Sequence, residues 1–96
     1  MGKKVSFKNR DRFIQLGISI GTLRKLRGLS QEKLAEKVGV SRTLIACIEA
    51  PNMPYSFSLE VFFDIADVLD IAPEDLIQAA VFPDRIIKAE NNKKNT

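Results

Sequence analysis

The sequence predicts an all-α fold, and three observations carry that reading. Large apolar residues recur at helical rather than strand spacing, as in Leu16, Ile20 and Leu23 and again in Ile45 and Ile48. Serines stand where helices would begin, and glycines or prolines where they would end. Of the 96 residues, 45% are hydrophobic and 28% are charged, enough apolar surface for one small core and too much for a disordered chain.

The first helix is expected from Asp11 or Phe13 to Arg27, with Gly28 supplying a left-handed stop. Gly17 and Gly21 lower the helix propensity of its first half. Ser30 is placed to cap a second helix, Gln31 to Val38, with Leu34, Ala35 and Val38 on one face and Gly39 ending it. Ser41 caps a third, from Arg42 to about Ala50, which Pro51 terminates because the residue before proline is pushed out of the helical region. Residues 51–57 then form a loop with two prolines. Ser58 caps a fourth helix, Leu59 to Leu69, with Leu59, Phe62, Phe63, Ala66 and Leu69 as its apolar stripe and Glu60, Asp64, Asp67 and Asp70 facing water. Pro73 opens a fifth, with Glu74 and Asp75 near its positive end and Leu76 and Ile77 facing inward. Pro83 ends or kinks it.

The domain organisation that follows is a basic N-terminal arm over residues 1–12, one folded domain over 13–82 and a C-terminal extension over 83–96. The polar ending of that extension, residues 91–96, has nothing to bury and is expected to be disordered. Ile86 and Ile87 are adjacent apolar residues that could dock on the domain or on a second subunit.

Composition excludes several function classes. There is no histidine, no tryptophan and one cysteine, Cys47, which removes most nucleophilic and metal-assisted constellations. The acids lie at exposed helical positions, where solvation is the simpler account than acid–base catalysis. Neither an enzyme activity, a metal nor a cofactor is expected. Apolar runs such as Ala79 to Phe82 fall far below the roughly 20 residues that span a bilayer, and no secretory signal is expected, so the reading is a cytoplasmic protein with no membrane partner. Met1-Gly2-Lys3-Lys4-Val5-Ser6 matches a myristoylation pattern literally, but such short patterns recur by chance and it is given no weight.

The net charge of +3 hides an asymmetry. Residues 1–42 hold eleven basic and three acidic side chains, residues 43–87 one basic and eight acidic, and residues 88–96 have a net charge of +2. A compact chain polarised in this way presents a basic region suited to a phosphate backbone, although ordinary helix solvation would also produce such a pattern.

Two short helices joined by Gly39-Val40-Ser41 have the dimensions of a helix-turn-helix. Gly39 admits a positive φ, Val40 fills the angle between the helices, and Ser41 caps the second so that its first residues project outward. The spaced residues Leu16-Gly17, Ile20, Leu23-Arg24, Gly28-Leu29-Ser30-Gln31, Leu34-Ala35, Val38-Gly39-Val40-Ser41, Ile45, Ile48-Glu49, Leu59, Ile65-Ala66, Leu69, Ile71 and Leu76 resemble the Cro/C1-type (XRE family) helix-turn-helix domain of phage repressors and bacterial transcription regulators. The resemblance covers residues 13–78 and implies a compact five-helix, lambda-repressor-like domain. It also implies a sequence-specific regulator of transcription that binds a pseudo-palindromic double-stranded operator as a homodimer, most simply as a repressor.

Carried over position by position, the resemblance lays the third helix in the major groove with Arg42, Thr43, Ala46 and Cys47 toward base edges, while Ile45 and Ile48 fall in the core. Arg42 could donate two hydrogen bonds to guanine or simply touch a phosphate. Thr43 could meet a thymine methyl or a phosphate, and Cys47 reads as a small apolar contact. Gln31, Arg24, Ser41, Asn52 and Tyr55 are the expected phosphate contacts, and Arg24 and Glu49 match a pair that joins helix one to the end of the recognition helix. Lys25, Arg27 and the arm residues Lys3, Lys4, Lys8, Arg10 and Arg12 could add non-specific attraction.

The chain departs from the family after Glu49. Members often continue with glycine and basic residues, whereas here Ala50-Pro51-Asn52-Met53-Pro54-Tyr55-Ser56-Phe57 carries no cation. Asn52, Tyr55 and Ser56 can still reach phosphates, and Met53, Tyr55 and Phe57 either pack under helix four or form a subunit contact. The alternative reading this loop favours is a protein-interaction module, such as an antitoxin or anti-repressor, on the same fold. With Ala46 and Cys47 small, direct base readout is expected to be sparse and DNA shape correspondingly important.

Overall fold

The computed structural model describes residues 5–81, with side chains through residue 78. Among these the fold is all-α, with five helices: α1 (Arg10–Leu26), α2 (Gln31–Val38), α3 (Arg42–Glu49), α4 (Leu59–Val68) and α5 (Pro73–Val81). A single 3-10 turn, Phe7–Asn9, leads into α1, so the chain is already helical across residues read as an arm. Lys3 and Lys4, the start of the Met1 to Ser6 pattern, Pro83, Ile86, Ile87 and the polar ending lie outside the described residues.

The helix starts follow side-chain chemistry. The hydroxyl oxygens of Ser30, Ser41 and Ser58 accept hydrogen bonds from the backbone N–H of Lys33, Leu44 and Val61 at 3.0, 3.0 and 3.1 Å, satisfying donors that each helix leaves unpaired. The stops are equally local. Gly28 and Gly39 adopt φ of 73° and 86°, and Asp70 closes α4 with φ 55°, a left-handed position that aspartate tolerates better than most side chains.

The helices enclose one core, built from Leu16, Ile20, Leu34, Ala35, Ile45, Ile48, Phe62, Ile65, Ala66, Leu69 and Leu76. α5 packs along α1, α2 packs against both α3 and α4, and α3 crosses α1. The fourth-helix stripe is rotated from its expected position. Its buried face is Phe62, Ile65, Ala66 and Leu69, whereas Leu59 is 69% exposed and Phe63 47%. Ile77, also expected inward, is 43% exposed beside buried Leu76. A helix this short buries only the width that its neighbours cover, and Leu59 and Phe63 fall on the flank that they leave open. Among the described residues no helix is long and apolar enough to cross a membrane.

Candidate nucleic-acid interface

α2 and α3 are eight residues each, and the turn between them is set by backbone hydrogen bonds. The N–H groups of Gly39 and Val40 both donate to the Ala35 carbonyl, at 2.8 and 3.0 Å, which the positive φ of Gly39 makes possible. Val40 packs against the core, and Ser41 then starts α3. On α3, Ile45 and Ile48 are buried, Arg42 and Thr43 are exposed, and Ala46 and Cys47 are half-buried. The four residues read as base-facing therefore share the side of the helix opposite its core contacts.

A polar clamp fixes the far end of α3. Arg24 donates from Nε to Glu49 Oε2 at 2.8 Å and from Nη2 to Glu49 Oε1 at 2.9 Å, while its Nη1 donates to the Leu29 carbonyl at 2.7 Å. Gln31 Nε2 adds a bond to Glu49 Oε1 at 3.1 Å. The Arg24–Glu49 pair thus ties together α1, the α1–α2 turn, the first residue of α2 and the last of α3. The hydrogen bond to Glu49 raises the Arg24 pKa above its usual value against the opposing effect of burial, and the attraction of the opposite charge adds to it. Arg24, also read as a phosphate contact, is 8% exposed with three of its donors committed to Glu49 and Leu29. Gln31 keeps its place at the head of α2, half-buried, with its amide oriented by Glu49.

The clamp requires α1 and α3 to approach closely, and Gly17 and Gly21 are why they can. A Cβ at Gly17 would collide with the Ile48 carbonyl oxygen, and one at Gly21 would lie 3.1 Å from Glu49 Oε1. Beyond their low helix propensity, the four-residue spacing of these glycines on one face is the signal in the sequence of a close helix crossing.

Other expected residues are placed differently from one another. The Ser41 hydroxyl oxygen is occupied by its capping bond. Asn52 is exposed in the loop after α3, while Tyr55 is half-buried against the core and lines a shallow apolar cleft with Val40, Ser41, Thr43, Leu44 and Val61. Phe57 also packs inward, its ring edge-to-face with Phe13 at 6.3 Å between centroids, and Met53 stays exposed. Arg27 is exposed, and its Nε donates to the Leu69 carbonyl at 2.7 Å, bracing the end of α4. Lys25 is exposed beside Gly21, Glu49 and Pro51.

Two capped helices, a glycine turn and an outward recognition face define a helix-turn-helix module. The sequence profile of the helix-turn-helix family matches residues 20–76. The restriction-modification controller protein C.AhdI from Aeromonas hydrophila is 33% identical over 67% of this chain and 94% of its own, with a TM-score of 0.61. The master regulator for biofilm formation SinR, solved in complex with DNA, is 31% identical over 65% of this chain and 97% of its own, with a TM-score of 0.59. The clp gene regulator ClgR from Corynebacterium glutamicum has a TM-score of 0.68 at 19% identity, over 88% of this chain and 87% of its own, a likeness of fold. Among curated proteins, no relative matches the chain. The chain belongs to the helix-turn-helix family, in its Cro/C1-type (XRE) branch, a family of DNA-binding regulators and not of enzymes.

Proposed function

We propose that this protein is a sequence-specific regulator of transcription that binds a pseudo-palindromic operator as a homodimer and represses by occupying the promoter. The observation that carries the reading is the presentation of α3: its core face is anchored by Ile45 and Ile48, its end is clamped through Glu49, and Arg42 and Thr43 are exposed at its start. In this reading α3 lies in the major groove with Arg42, Thr43, Ala46 and Cys47 toward the bases. Gln31, Asn52 and the Ser41 and Tyr55 region approach the flanking phosphates. The DNA complex of SinR, at 31% identity, supports the same use of this fold. Two recognition helices roughly 34 Å apart read twice the sequence of one, which is the physical case for a dimer.

Selection of the purified protein against random duplex DNA, repeated at several salt concentrations, tests this reading. The expected result is an enriched palindrome bound with a steep salt dependence, since neutralised phosphates release counterions. Folded protein that enriches no sequence would favour the second reading, a protein-interaction module such as an antitoxin or anti-repressor. That reading draws support from Leu59, Phe63 and Met53, which leave apolar surface exposed on α4 and its preceding loop.

A further inference from the structure

α3 offers a DNA groove few hydrogen-bonding groups. Of its eight residues, Ile45 and Ile48 are in the core, Leu44 packs against it, and the Glu49 carboxylate is taken up by Arg24 and Gln31. The hydroxyl oxygen of the preceding Ser41 accepts from Leu44 N–H. Arg42 and Thr43 are left as the only outward side chains on the helix with a strong donor or acceptor. Thr43 has a second character. It lines the apolar cleft between α3 and the start of α4 with Val40, Ser41, Leu44, Tyr55 and Val61, and it carries a γ-methyl beside its hydroxyl. Ala46 and Cys47 lie three and four residues further on, on the same face of the helix, and carry no strong hydrogen-bonding group.

In the major groove the natural base with an apolar group on its edge is thymine, through its 5-methyl. We propose, resting on the reading of α3 as the groove-facing helix, that the protein selects thymine by packing this methyl against the Thr43 γ-methyl and Ala46, with Thr43 the specificity-determining residue. Arg42 supplies the polar contact of the half-site and Thr43 the apolar one. The small side chains at positions 46 and 47 let the helix backbone sit close enough for a methyl-to-methyl contact. Removing one methyl from such a contact costs about as much as exposing one methylene group, a loss of roughly three- to fivefold in affinity.

The test uses the whole chain and the duplex enriched from the random pool, with each thymine of a half-site replaced singly by deoxyuridine, which deletes the methyl and keeps every hydrogen-bonding group. Fluorescence anisotropy at fixed salt should show a roughly three- to fivefold loss at one position or more. Thr43→Val, which keeps the methyl and deletes the hydroxyl, should retain that loss. Thr43→Ser, which does the reverse, should shrink the difference between the thymine and deoxyuridine duplexes to the part that Ala46 contributes. Circular dichroism establishes that both variants are folded. Equal binding of all duplexes by the unaltered protein overturns the proposal, as does a Thr43→Ser protein that keeps the full difference. Weak binding of every duplex by Thr43→Val, with Thr43→Ser unchanged, also overturns it and makes Thr43 a hydroxyl contact. A pool with no enriched sequence overturns the DNA-reading assignment itself, so the two failures are distinct.

Discussion

Arg42 is the one cation on α3, and its exposure at the first position of the helix gives it a planar fork with no partner among the described residues. If it pairs with the O6 and N7 of a guanine, Arg42→Ala relaxes preference at one base pair at a cost of about 1–3 kcal/mol, measurable by competition among operator variants. An equal loss on all sequences would make it a phosphate contact. Gln31 makes the contrasting case. Its side chain is aligned by Glu49 at the positive end of α2, where a phosphate is favoured whatever the sequence. Gln31→Ala should therefore weaken binding to all duplexes alike, and a change in base preference would count against that role. Both positions were legible in the sequence as helix-start residues of a helix-turn-helix. The bond from Gln31 to Glu49 was not, because it joins residues 18 apart that only the packing of α2 on α3 brings together.

The crossing of α1 and α3 decides the sign of a substitution that helix propensity alone gets wrong. Exchanging a mid-helix glycine for alanine ordinarily stabilises by about 1 kcal/mol. At Gly17 the added Cβ meets the Ile48 carbonyl, a backbone atom that cannot swing aside. Gly17→Ala is expected to destabilise by roughly 1–3 kcal/mol in urea unfolding, the usual cost of overpacking; a rise in stability would mean that the two helices can separate without loss. The clamp behaves as a buried ion pair, with the Arg24 and Glu49 side chains 9% and 8% exposed. Removing one partner strands the other, so Glu49→Ala should cost about 3–5 kcal/mol. The pair itself was readable from the family resemblance. Its consequence, an Arg24 that is 8% exposed with three donors committed inside the fold, depends on packing that no sequence pattern states.

Taken as one folded unit, the domain rests on a core of eleven buried apolar side chains drawn from all five helices. Ile45 is fully enclosed in it from the recognition helix. Ile45→Asp places an unpaired charge there and should unfold the domain, visible as loss of the helical circular dichroism signal. A folded, soluble variant would mean that α3 presents a different face. The five helices follow from short-range chemistry that a linear reading can see. Ser30, Ser41 and Ser58 each satisfy an N–H three residues ahead, Gly28 and Gly39 take up positive φ at a helix end, and Pro73 opens α5. Such interactions span one turn of chain and need no neighbour to be recognised. Long-range contacts settled the rest. Leu59, Phe63 and Ile77 are apolar and correctly phased to border a core, yet exposed because no helix covers their flank. Arg27 stays exposed, yet its Nε reaches the Leu69 carbonyl, 42 residues away. Which apolar and charged groups are buried depends on where the other helices lie, and that is a property of the packed molecule rather than of any one stretch of chain.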